Sequence, residues 1–551
     1  RCPGPPERRE CCFRVGGSAG ARATVEIRIG TSLISPEQAG RALDQEVGGR
    51  GLDDVAAAGR AAWREQLAKV QVVDAGPATA GTLRRLEVFY TCLYRALLFP
   101  RRLEEWTPSG WQHWSPYDGQ VHSGVGVTDN GFWDTFRTVY PLLSLAYPRQ
   151  LGELVEGWLN AYRAGGWLPK WASPGYRGSM VGTFADVVVA DAILKNISGF
   201  DREVAWEALR KDAYEHGDKG DTSRGKVGLE HYASKGYVPV DVKIGEACSR
   251  TLDFAFADAA AAAAARRLGR LSDAEALQAR SKRGLESLFD RRTGLMGHRL
   301  SSGAFKEVSA ETWGGCFTEG SAWHHSFPPF DLPALAELHG GKERLLAKLS
   351  QVFASPGSFR HGSYKVDIHE MREMRTLGLG QYAHNNQPVH HIPFLFALLG
   401  DRNTTARLVR QILADAYSTE GFAGDEDNGE MGSWYVLSAL GLYDAAPGVS
   451  QAYVLAAVPQ FRRVRLAELD LTIEAPAAAE DLPMLATVLW RGKAVRGVTL
   501  PYSDLRSGGT LRFLAPGDAM LATAVSNMRG ALHGAAEAVR RRAGAGTAEG
   551  G

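Results

Sequence analysis

A long succession of amphipathic helical segments restricts the fold of this chain more than any other feature. From about residue 83 to residue 447, apolar residues recur at helical spacing in about a dozen segments. The clearest stripe, at i, i+3, i+4, i+7, i+8 and i+11, consists of Leu151, Leu154, Val155, Trp158, Leu159 and Tyr162. Gly165-Gly166 then provides a stop signal. So many helices in one region favour a mainly α domain in which helical hairpins close into a barrel.

The two ends of the chain have β-type patterns. Val25 to Ile29 alternates apolar and charged residues, which predicts a half-buried strand. One or two strands do not form a stable sheet, so we predict that residues 1–51 are the truncated end of a β domain. Residues 52–82 are predicted to form a helical linker and 448–516 a C-terminal β element with a hairpin at Arg491-Gly492. We expect 517–551 to be a disordered tail.

Composition excludes some classes of protein. The 63 Lys and Arg residues nearly balance the 62 Asp and Glu residues, so neither nucleic acid nor an anionic membrane is expected as the main partner. No run of about 18 apolar residues predicts a membrane span. Two N-x-[ST] triplets, at Asn196 and Asn403, agree with a secretory route, although such triplets are common by chance.

The six cysteines do not have zinc-type spacing. Cys92 lies on an apolar helical stripe, which predicts a core position. A disulfide among Cys2, Cys11 and Cys12 is compatible with the sequence, which leaves the connectivity open.

The segment from Thr318 to His325 contains one carboxylate, Glu319, among Gly, Trp and His residues. An apolar and aromatic setting raises a carboxyl pKa, as a general acid working near neutral pH requires. The alternative interpretation is a helix cap or a solvated loop glutamate.

A second loop, from Gly424 to Glu430, contains three consecutive acids. These acids repel one another unless they are solvated or bound to cations, and they do not alternate as EF-hand ligands do. They also precede a helix, where negative charge is favoured, so a solvated acidic turn is the alternative. A carboxylate held at a helix start is well placed to activate a water molecule.

A third polar group follows at residues 369–374 and 381–391. His369 and Glu370 are suited to sugar hydroxyls, whereas Glu373, Asn386 and Gln387 offer the hard oxygen atoms that calcium prefers. A zinc site at His384, His390 and His391 is a further alternative, although H-E-x-x-H is absent. A core position is the alternative interpretation for about half of these histidines.

Aromatic residues accompany these loops. Trp133-Asp134 and the run from Gly166 to Trp171, which contains Lys170, place indoles beside polar side chains. Aromatic faces suit the C–H faces of a sugar, and carboxylates or Lys suit its hydroxyls. Several such segments beside acidic loops favour a carbohydrate site over isolated core tryptophans.

These segments together resemble those of a known family. Glu319-Gly320-Ser321-Ala322-Trp323 is similar to E-G-N-A-W, and the run from Gly380 to Pro388 is similar to G-Q-Y-A-H-G-N-[EQ]-P. The run from Gly424 to Val436 is similar to G-[DN]-[DE]-D-x-G-x-M-S-A-W-Y, and 132–137 and 165–171 also match. The family is glycoside hydrolase family 92, the calcium-dependent exo-α-mannosidases, and the resemblance extends from about residue 24 to about 516.

The resemblance implies an N-terminal β-sandwich, a linker, and an (α/α)6 barrel over 83–447 that a small β element completes. It implies hydrolysis with inversion, with Glu319 as general acid and Asp427 as general base, assisted by Asp425. The residues that it implies for substrate binding are Trp133, Asp134, Lys170, Trp171, Trp323, His324, His369 and Glu370.

The resemblance also implies Ca²⁺ at Glu373, Asn386 and Gln387, where it would bind the O2 and O3 hydroxyls of a terminal mannose. The pair His369-Glu370 resembles that of α-1,2-specific members, so we expect an α-1,2 linkage in N-glycan or mannan-type substrates. A secreted or lysosomal location is expected.

The chain departs from the family pattern at Ser321, Asn385 and Gly432, and the resemblance leads us to expect only the end of the N-terminal domain. Two alternatives therefore stay open. One is a different (α/α)6 glycosidase acting on α-glucosides without calcium, and the other is an inactive carbohydrate-binding relative.

Overall fold

A computed structural model describes residues 26–218, 220–478 and 485–516. The fold is mainly helical, as the sequence predicts. The α-helices of these residues are α1 Pro36–Glu46, α2 Leu52–Leu67, α3 Ala80–Ala96, α4 Phe132–Thr135, α5 Val139–Ala146, α6 Pro148–Gly165, α7 Phe184–Leu194, α8 Arg202–Tyr214, α9 Leu229–Lys235, α10 Ala247–Arg267, α11 Leu271–Leu288, α12 Ala322–His325, α13 Leu332–Leu338, α14 Lys342–Ala354, α15 His369–Leu377, α16 Ile392–Leu398, α17 Arg402–Asp415, α18 Glu430–Ala439 and α19 Tyr502–Arg506.

Short strands lie between and after these helices. They are β1 Val70–Asp74, β2 Arg101–Arg102, β3 Glu105–Thr107, β4 Gly110–Trp114, β5 Val121–Ser123, β6 Val127–Thr128, β7 Asn130–Gly131, β8 Trp171–Ala172, β9 Phe289–Asp290, β10 Leu295–Met296, β11 His298–Arg299, β12 Phe305–Lys306, β13 Ala452–Val454, β14 Arg463–Leu466, β15 Leu471–Glu474, β16 Thr487–Trp490, β17 Lys493–Ala494, β18 Thr499–Pro501 and β19 Gly509–Leu514. Single 3-10 turns occur at Pro329–Asp331, Gly362–Tyr364, Gln387–Val389 and Ala467–Leu469.

The helices form a buried set and an amphipathic set. Every residue of α7 and α18 is buried, and so is almost all of α10. The alanines of α10 allow α7 and α11 to pack closely against it, and α18 packs against α3 in the same way. In contrast, α6, α8, α11 and α17 bury one face each, which explains their amphipathic sequence pattern. The buried set forms one continuous hydrophobic core.

The strands of the C-terminal region form a six-stranded sheet in the order β1-β14-β15-β19-β16-β17. The pair β15 and β19 is parallel, and the other neighbours are antiparallel. The hairpin predicted at Arg491-Gly492 is confirmed as β16–β17. Because β1 comes from the linker, this sheet connects residues near the start of the chain with its C-terminal β element.

A buried ion cluster connects α7 with the segment after α18. The ammonium group of Lys195 lies 2.7 Å from a carboxylate oxygen of Asp191 and 2.8 Å from one of Asp444. All three side chains are almost inaccessible to solvent. Burial, opposed by the Lys195 charge, raises the pKa of Asp444 to about 6.

Some sequence predictions are wrong. The predicted strand at 25–29 is absent from its described residues, since 26–29 are unpaired and Ile27 is 69% exposed. The linker 52–82 is not wholly helical, because Val70–Asp74 pairs with β14 as a strand. Residues 26–29 have no partner strand within the part of the chain that the structure describes. The partner of Val70–Asp74 lies almost 400 positions away, at Arg463–Leu466. The predicted tail 517–551 lies outside the described residues.

No helix among the described residues is both long enough and apolar enough to cross a membrane. Cys92 is buried and free in α3, which confirms the predicted core position. A disulfide joins Cys248 and Cys316, a pairing that their spacing does not reveal. The N-terminal cysteines considered in the sequence lie outside the described residues.

Candidate active site

Glu319 lies on the loop that precedes α12, in a left-handed backbone conformation with φ +45°. A non-glycine residue rarely adopts this conformation unless its surroundings hold it there. The Glu319 amide donates a hydrogen bond to the Tyr364 hydroxyl at 3.1 Å. Burial, followed by the negative charges of Glu370 and Asp427, raises the pKa of Glu319 to about 8. The Glu319 carboxyl is therefore mainly protonated at neutral pH.

Asp427 lies on the loop between α17 and α18 and is also left-handed, with φ +53°. Burial, followed by the charges of Glu430 and Asp425, raises the pKa of Asp427 to about 7, while a hydrogen bond from Gln387 opposes this rise. Asp425 is exposed, so it contributes charge from the solvent side of the loop. Two carboxyls with raised pKa values thus occupy strained positions on different loops.

The acid between them has a structural function. Glu426 accepts a hydrogen bond from the Gly429 amide at 2.7 Å and one from the Gly432 amide at 3.4 Å. These amides belong to the start of α18, so Glu426 caps this helix. The helix-capping interpretation of the acidic loop applies to Glu426, and it leaves Asp427 free for other contacts.

Two adjacent residues connect the loops of Glu319 and Asp427. The Asn386 side chain donates a hydrogen bond to the Glu319 carbonyl, and the Gln387 side chain donates one to the Asp427 carboxylate. Both amide side chains are buried. Because neighbouring residues bond to both loops, Glu319 and Asp427 lie at one site although 108 positions separate them in the chain.

Asp134 on α4 lies beside both carboxyls. It is buried, and burial together with the charges of Asp427 and Glu319 raises its pKa well above its usual range. The short helix α4 is attached to the acidic loop, since the Gly131 amide donates a hydrogen bond of 2.9 Å to Asn428. The helix that carries Asp134, the third carboxyl of the site, is therefore held by the loop that contains Asp427.

Trp133 lies next to Asp134 on α4, and Arg137 holds its indole in position. The Arg137 guanidinium lies 5.1 Å from the centre of a Trp133 ring, and its Nε donates a hydrogen bond of 3.1 Å to the Trp133 carbonyl. The Trp133 Nε1 atom is buried, and the carboxyl group of Asp253 lies near it. Arg137 is thus the support of this indole.

Lys170 and Trp171 come from the segment after α6. Trp171 pairs with Gly131 in the short antiparallel ladder β7–β8, which places it next to α4. Lys170 is buried, and its ammonium donates a hydrogen bond of 2.8 Å to the Thr222 carbonyl. Burial, followed by the charge of Arg250, lowers the pKa of Lys170 to about 8. Trp171 is therefore adjacent to α4, which carries Trp133 and Asp134. Lys170 instead donates its hydrogen bond to the loop that contains Thr222.

Trp323 and His324, which the resemblance implies as substrate-binding residues, have contacts with other parts of the protein. The Lys348 ammonium lies 4.7 Å from the centre of a Trp323 ring. His324 is buried against Trp313, and its Nδ1 accepts a hydrogen bond from the Ser321 amide at 2.8 Å. These contacts are typical of structural residues of α12, and they do not support sugar binding.

His369 and Glu370 begin α15 on the other side of Glu319. The two ring nitrogens of His369 lie 3.0 Å from a Glu370 oxygen and 3.1 Å from a Glu373 oxygen. Burial lowers the pKa of His369, but the hydrogen bond to Glu373 and the charge of Glu370 outweigh it, so the net pKa is raised. The pair Glu370–His369 therefore presents charge next to the Glu319 carboxyl.

The oxygen atoms implied for calcium are suited to this ion. Glu373 accepts a hydrogen bond of 3.1 Å from the Asn385 side chain, and the Oδ1 atom of Asn386 is buried without a partner. Carboxylate and amide oxygens are the ligands that Ca²⁺ takes. Among the described residues, a close group of His, Cys, Asp and Glu ligand atoms occurs only at Cys248, His298 and Cys316, where the sulfurs are bonded to each other.

The zinc alternative is wrong. Both ring nitrogens of His384 bond to tyrosine hydroxyls, at 3.0 and 2.8 Å. His390 bonds to Glu430 at 2.6 Å and to a backbone carbonyl, and His391 bonds to another carbonyl at 2.7 Å. These histidines are buried core residues with their own partners.

Several residues at this site escape sequence reasoning. Tyr364 and Glu246 surround Glu319, Arg137 supports Trp133, and Asn428 holds α4. Asn428 lies within the run from Gly424 to Val436 that matches the family pattern, so the sequence did indicate that it belongs to the site. Tyr364 and Glu246 lie on segments without a distinctive pattern, and only the fold brings them to Glu319.

Comparison with known proteins gives a consistent result. Residues 38–515 match the sequence model of the glycosyl hydrolase family 92 catalytic domain. A family 92 inverting mannosidase of Bacteroides thetaiotaomicron has 36% sequence identity and a TM-score of 0.78, over 88% of this chain and 65% of that chain. A family 92 α-mannosidase of the same bacterium, solved in complex with mannoimidazole, has 25% identity and a TM-score of 0.75, over 88% and 62%.

A curated relative, an uncharacterized secreted glycosidase of Arthroderma benhamiae, is 24% identical over 479 residues, which are 80% of this chain and 53% of the relative. The chain thus spans about half the length of this relative and just under two thirds of the solved structures.

Proposed function

Because this chain belongs to glycosyl hydrolase family 92, we propose that it is an exo-acting α-mannosidase that hydrolyses with inversion. Glu319 acts as general acid and Asp427 as general base, with Asp425 assisting through its charge. The single observation that carries this proposal is the contact of neighbouring Asn386 and Gln387 with the two carboxyl loops.

The protonation states support these roles. At neutral pH the Glu319 carboxyl, with a pKa raised to about 8, retains a proton for the glycosidic oxygen. Asp427, with a pKa raised to about 7, is about half ionised there and is a stronger base than an ordinary aspartate. Carboxyls with different hydrogen bonding and different pKa values on two loops are the arrangement that acid and base catalysis needs.

The reaction follows from these groups. Glu319 donates its proton to the leaving sugar oxygen as the bond from that oxygen to the anomeric carbon breaks. A water molecule attacks the opposite face of this carbon, and Asp427 accepts the proton that the water loses. Inversion requires space for the water, so the two carboxyls of the complex should be roughly 6.5–9.5 Å apart.

Substrate residues surround this pair. Trp133 and Trp171 provide an aromatic floor, and Asp134 offers a carboxyl to hydroxyl groups of the terminal mannose. His369 and Glu370, adjacent to Glu319, receive the leaving sugar, which favours an α-1,2 linkage in N-glycan or mannan-type substrates. Lys170 would reach the mannose after releasing Thr222, whereas the contacts of Trp323 and His324 favour a supporting function.

Calcium is the proposed cofactor. Glu373, Asn386 and Gln387 would hold it, and the unpartnered Oδ1 of Asn386 is the observation that supports this site. The ion supplies positive charge that binds and orients hydroxyls of the mannose. Asn385, which replaces the usual glycine, holds Glu373 through a hydrogen bond of 3.1 Å and thereby orients this ligand.

We also propose that residues 83–447 form an (α/α)6 barrel and that 448–516 complete it. The buried and amphipathic helix sets support two concentric layers. The Cys248–Cys316 disulfide and the secreted relative support a secreted or lysosomal location.

The test uses the full chain with α-1,2-, α-1,3- and α-1,6-mannobiose, with and without EDTA. We expect hydrolysis of the α-1,2 compound, loss of activity in EDTA and recovery on addition of Ca²⁺. NMR of the first-formed sugar should show the β anomer, since inversion of an α linkage produces it. Formation of the α anomer would contradict the assignment of an inverting base.

Glu319→Gln and Asp427→Asn should each lower kcat by at least about 100-fold while leaving the fold intact. The matched controls are Glu420→Gln and Asp415→Asn, which change exposed acids. Near-normal activity in either site variant would refute its role. Hydrolysis of an α-glucoside such as trehalose, with no response to EDTA, would favour the α-glucosidase alternative.

A further inference from the structure

The Cys248–Cys316 disulfide lies directly behind the loop of the proposed general acid. Cys248 is in the first turn of α10, and Cys316 is three residues before Glu319. The two cysteines are 68 positions apart in the chain. Within the described residues, this bond is the covalent connection between the acid loop and the buried helix α10, which belongs to the rigid core.

Hydrogen bonds place the loop on the same helix end. The Cys316 carbonyl accepts hydrogen bonds from the Cys248 amide at 3.0 Å and from the Ser249 amide at 3.1 Å. The Ser249 hydroxyl in turn accepts a hydrogen bond of 2.8 Å from the Thr318 amide. The backbone from Cys316 to Thr318 is therefore held to α10 up to the residue that precedes Glu319.

Glu319 needs such support because of its backbone conformation. A left-handed non-glycine residue is less stable than one in an ordinary conformation, and it persists where the surroundings hold it. On its far side, the Glu319 backbone bonds to Tyr364 and Asn386, and the Gly320 carbonyl accepts a hydrogen bond of 2.9 Å from the Gly314 amide. Without the covalent bond, the loop can relax toward an ordinary conformation and carry the carboxyl away from the leaving oxygen.

Both cysteines of the disulfide are buried, Cys316 at 2% exposure and Cys248 at 0%. Cys316 lines a cavity of about 520 Å³ whose other walls include His298, Gly315 and Ser363. Gly315 and Ser363 are exposed, so the cavity extends to the surface. The sulfurs therefore lie just behind the wall of this cavity, and a count of free thiols shows whether a reductant has broken the bond.

We propose that the Cys248–Cys316 disulfide is a positioning element for Glu319, so that its reduction lowers protonation of the leaving sugar while binding of the terminal mannose is retained. This inference rests on the proposed function of Glu319. A water-soluble phosphine supplies the two electrons and becomes its phosphine oxide, taking the oxygen atom from water. The sulfur–sulfur bond breaks, and each sulfur gains one electron and one proton to become a thiol.

The test compares two substrates. The leaving group of α-1,2-mannobiose is a sugar, which needs a proton to depart. The leaving group of dinitrophenyl α-mannoside is an acidic phenol, which departs without one. Reduction of the wild-type protein, or the double change Cys248→Ser with Cys316→Ser, should lower kcat on mannobiose about ten- to hundred-fold. The kcat on the dinitrophenyl substrate should change by less than about threefold, with KM for both substrates unchanged.

Three controls make the result interpretable. Reoxidation of the reduced wild type should restore turnover of mannobiose, and the double variant should not respond to the phosphine. Cys92→Ala should keep the response of the wild type, because Cys92 is a buried free thiol. If the double variant does not fold, reduction and reoxidation of the wild type provide the same comparison.

The possible outcomes separate the two proposals. Equal losses on both substrates would show that the bond only maintains the fold, and no loss on either would show that the loop does not need it. Either result overturns the positioning role. Failure of the oxidised wild type to hydrolyse either substrate would instead refute the proposed function.

Discussion

Replacement of Glu319 by Gln should stabilise the protein while it abolishes turnover. The folded protein raises the pKa of Glu319 to about 8 from an ordinary value of 4.5. Between these values the folded state retains a proton that the unfolded chain releases, so the contribution of Glu319 to stability is lost as the pH rises. Gln stays uncharged at every pH, so the variant does not lose this stability as the pH rises.

The size of the effect follows from the pKa. At 1.36 kcal/mol per pH unit, the interval from the ordinary pKa to pH 7 corresponds to about 3 kcal/mol, and the full interval at pH 8 to about 5 kcal/mol. Glu319 keeps some contact with solvent, which reduces both figures. We therefore expect Glu319→Gln to gain about 1–3 kcal/mol at pH 7. For a unit of this size that raises Tm by about 1–3 °C.

The assay is thermal unfolding of the wild type and the variant from pH 4 to pH 9 in identical buffers. The difference in Tm should be close to zero at pH 4, should grow up to about pH 8, and should then stay constant. Glu420→Gln, at an exposed position, should melt with the wild type throughout. A difference that is independent of pH, or a variant that melts below the wild type at pH 8, would refute the reasoning.

Three other predictions follow from the same structure. The kcat/KM for α-1,2-mannobiose should decrease at pH values under about 7, where Asp427 gains a proton, and at pH values over about 8, where Glu319 loses its proton. A flat profile from pH 6 to pH 9 would contradict both assignments. Lys195→Ala should lower the free energy of unfolding by about 3–5 kcal/mol in urea titrations, since it leaves two buried aspartates without their cation, and a loss below about 1 kcal/mol would be inconsistent with the cluster. Gly424→Ala should lower kcat at least about tenfold, because a methyl group there would lie 2.4 Å from a backbone oxygen at φ +88°, whereas Gly421→Ala, with open space around it, should keep full activity.

The local pattern of the sequence is sufficient for much of the fold. The stripe from Leu151 to Tyr162 became α6, which ends at the left-handed Gly166 as predicted. The hairpin at Arg491-Gly492 also agrees with its prediction. These features depend on residues close in the chain, so periodicity and turn residues report them directly.

For the site, the sequence determined which loops carry carboxylates, amides and indoles, since these residue types are visible in the motifs. The tertiary structure decided how they divide their functions. Glu426 caps α18 while its neighbour Asp427 bonds to Gln387, a distinction that depends on side-chain direction over a single residue. Likewise, only the packing of α10 against the acid loop brings Cys248 to Cys316, and only the tertiary fold brings the turn at Gly362–Tyr364 to Glu319. Contacts between distant segments depend on how whole helices pack, and no local pattern of residues encodes that arrangement.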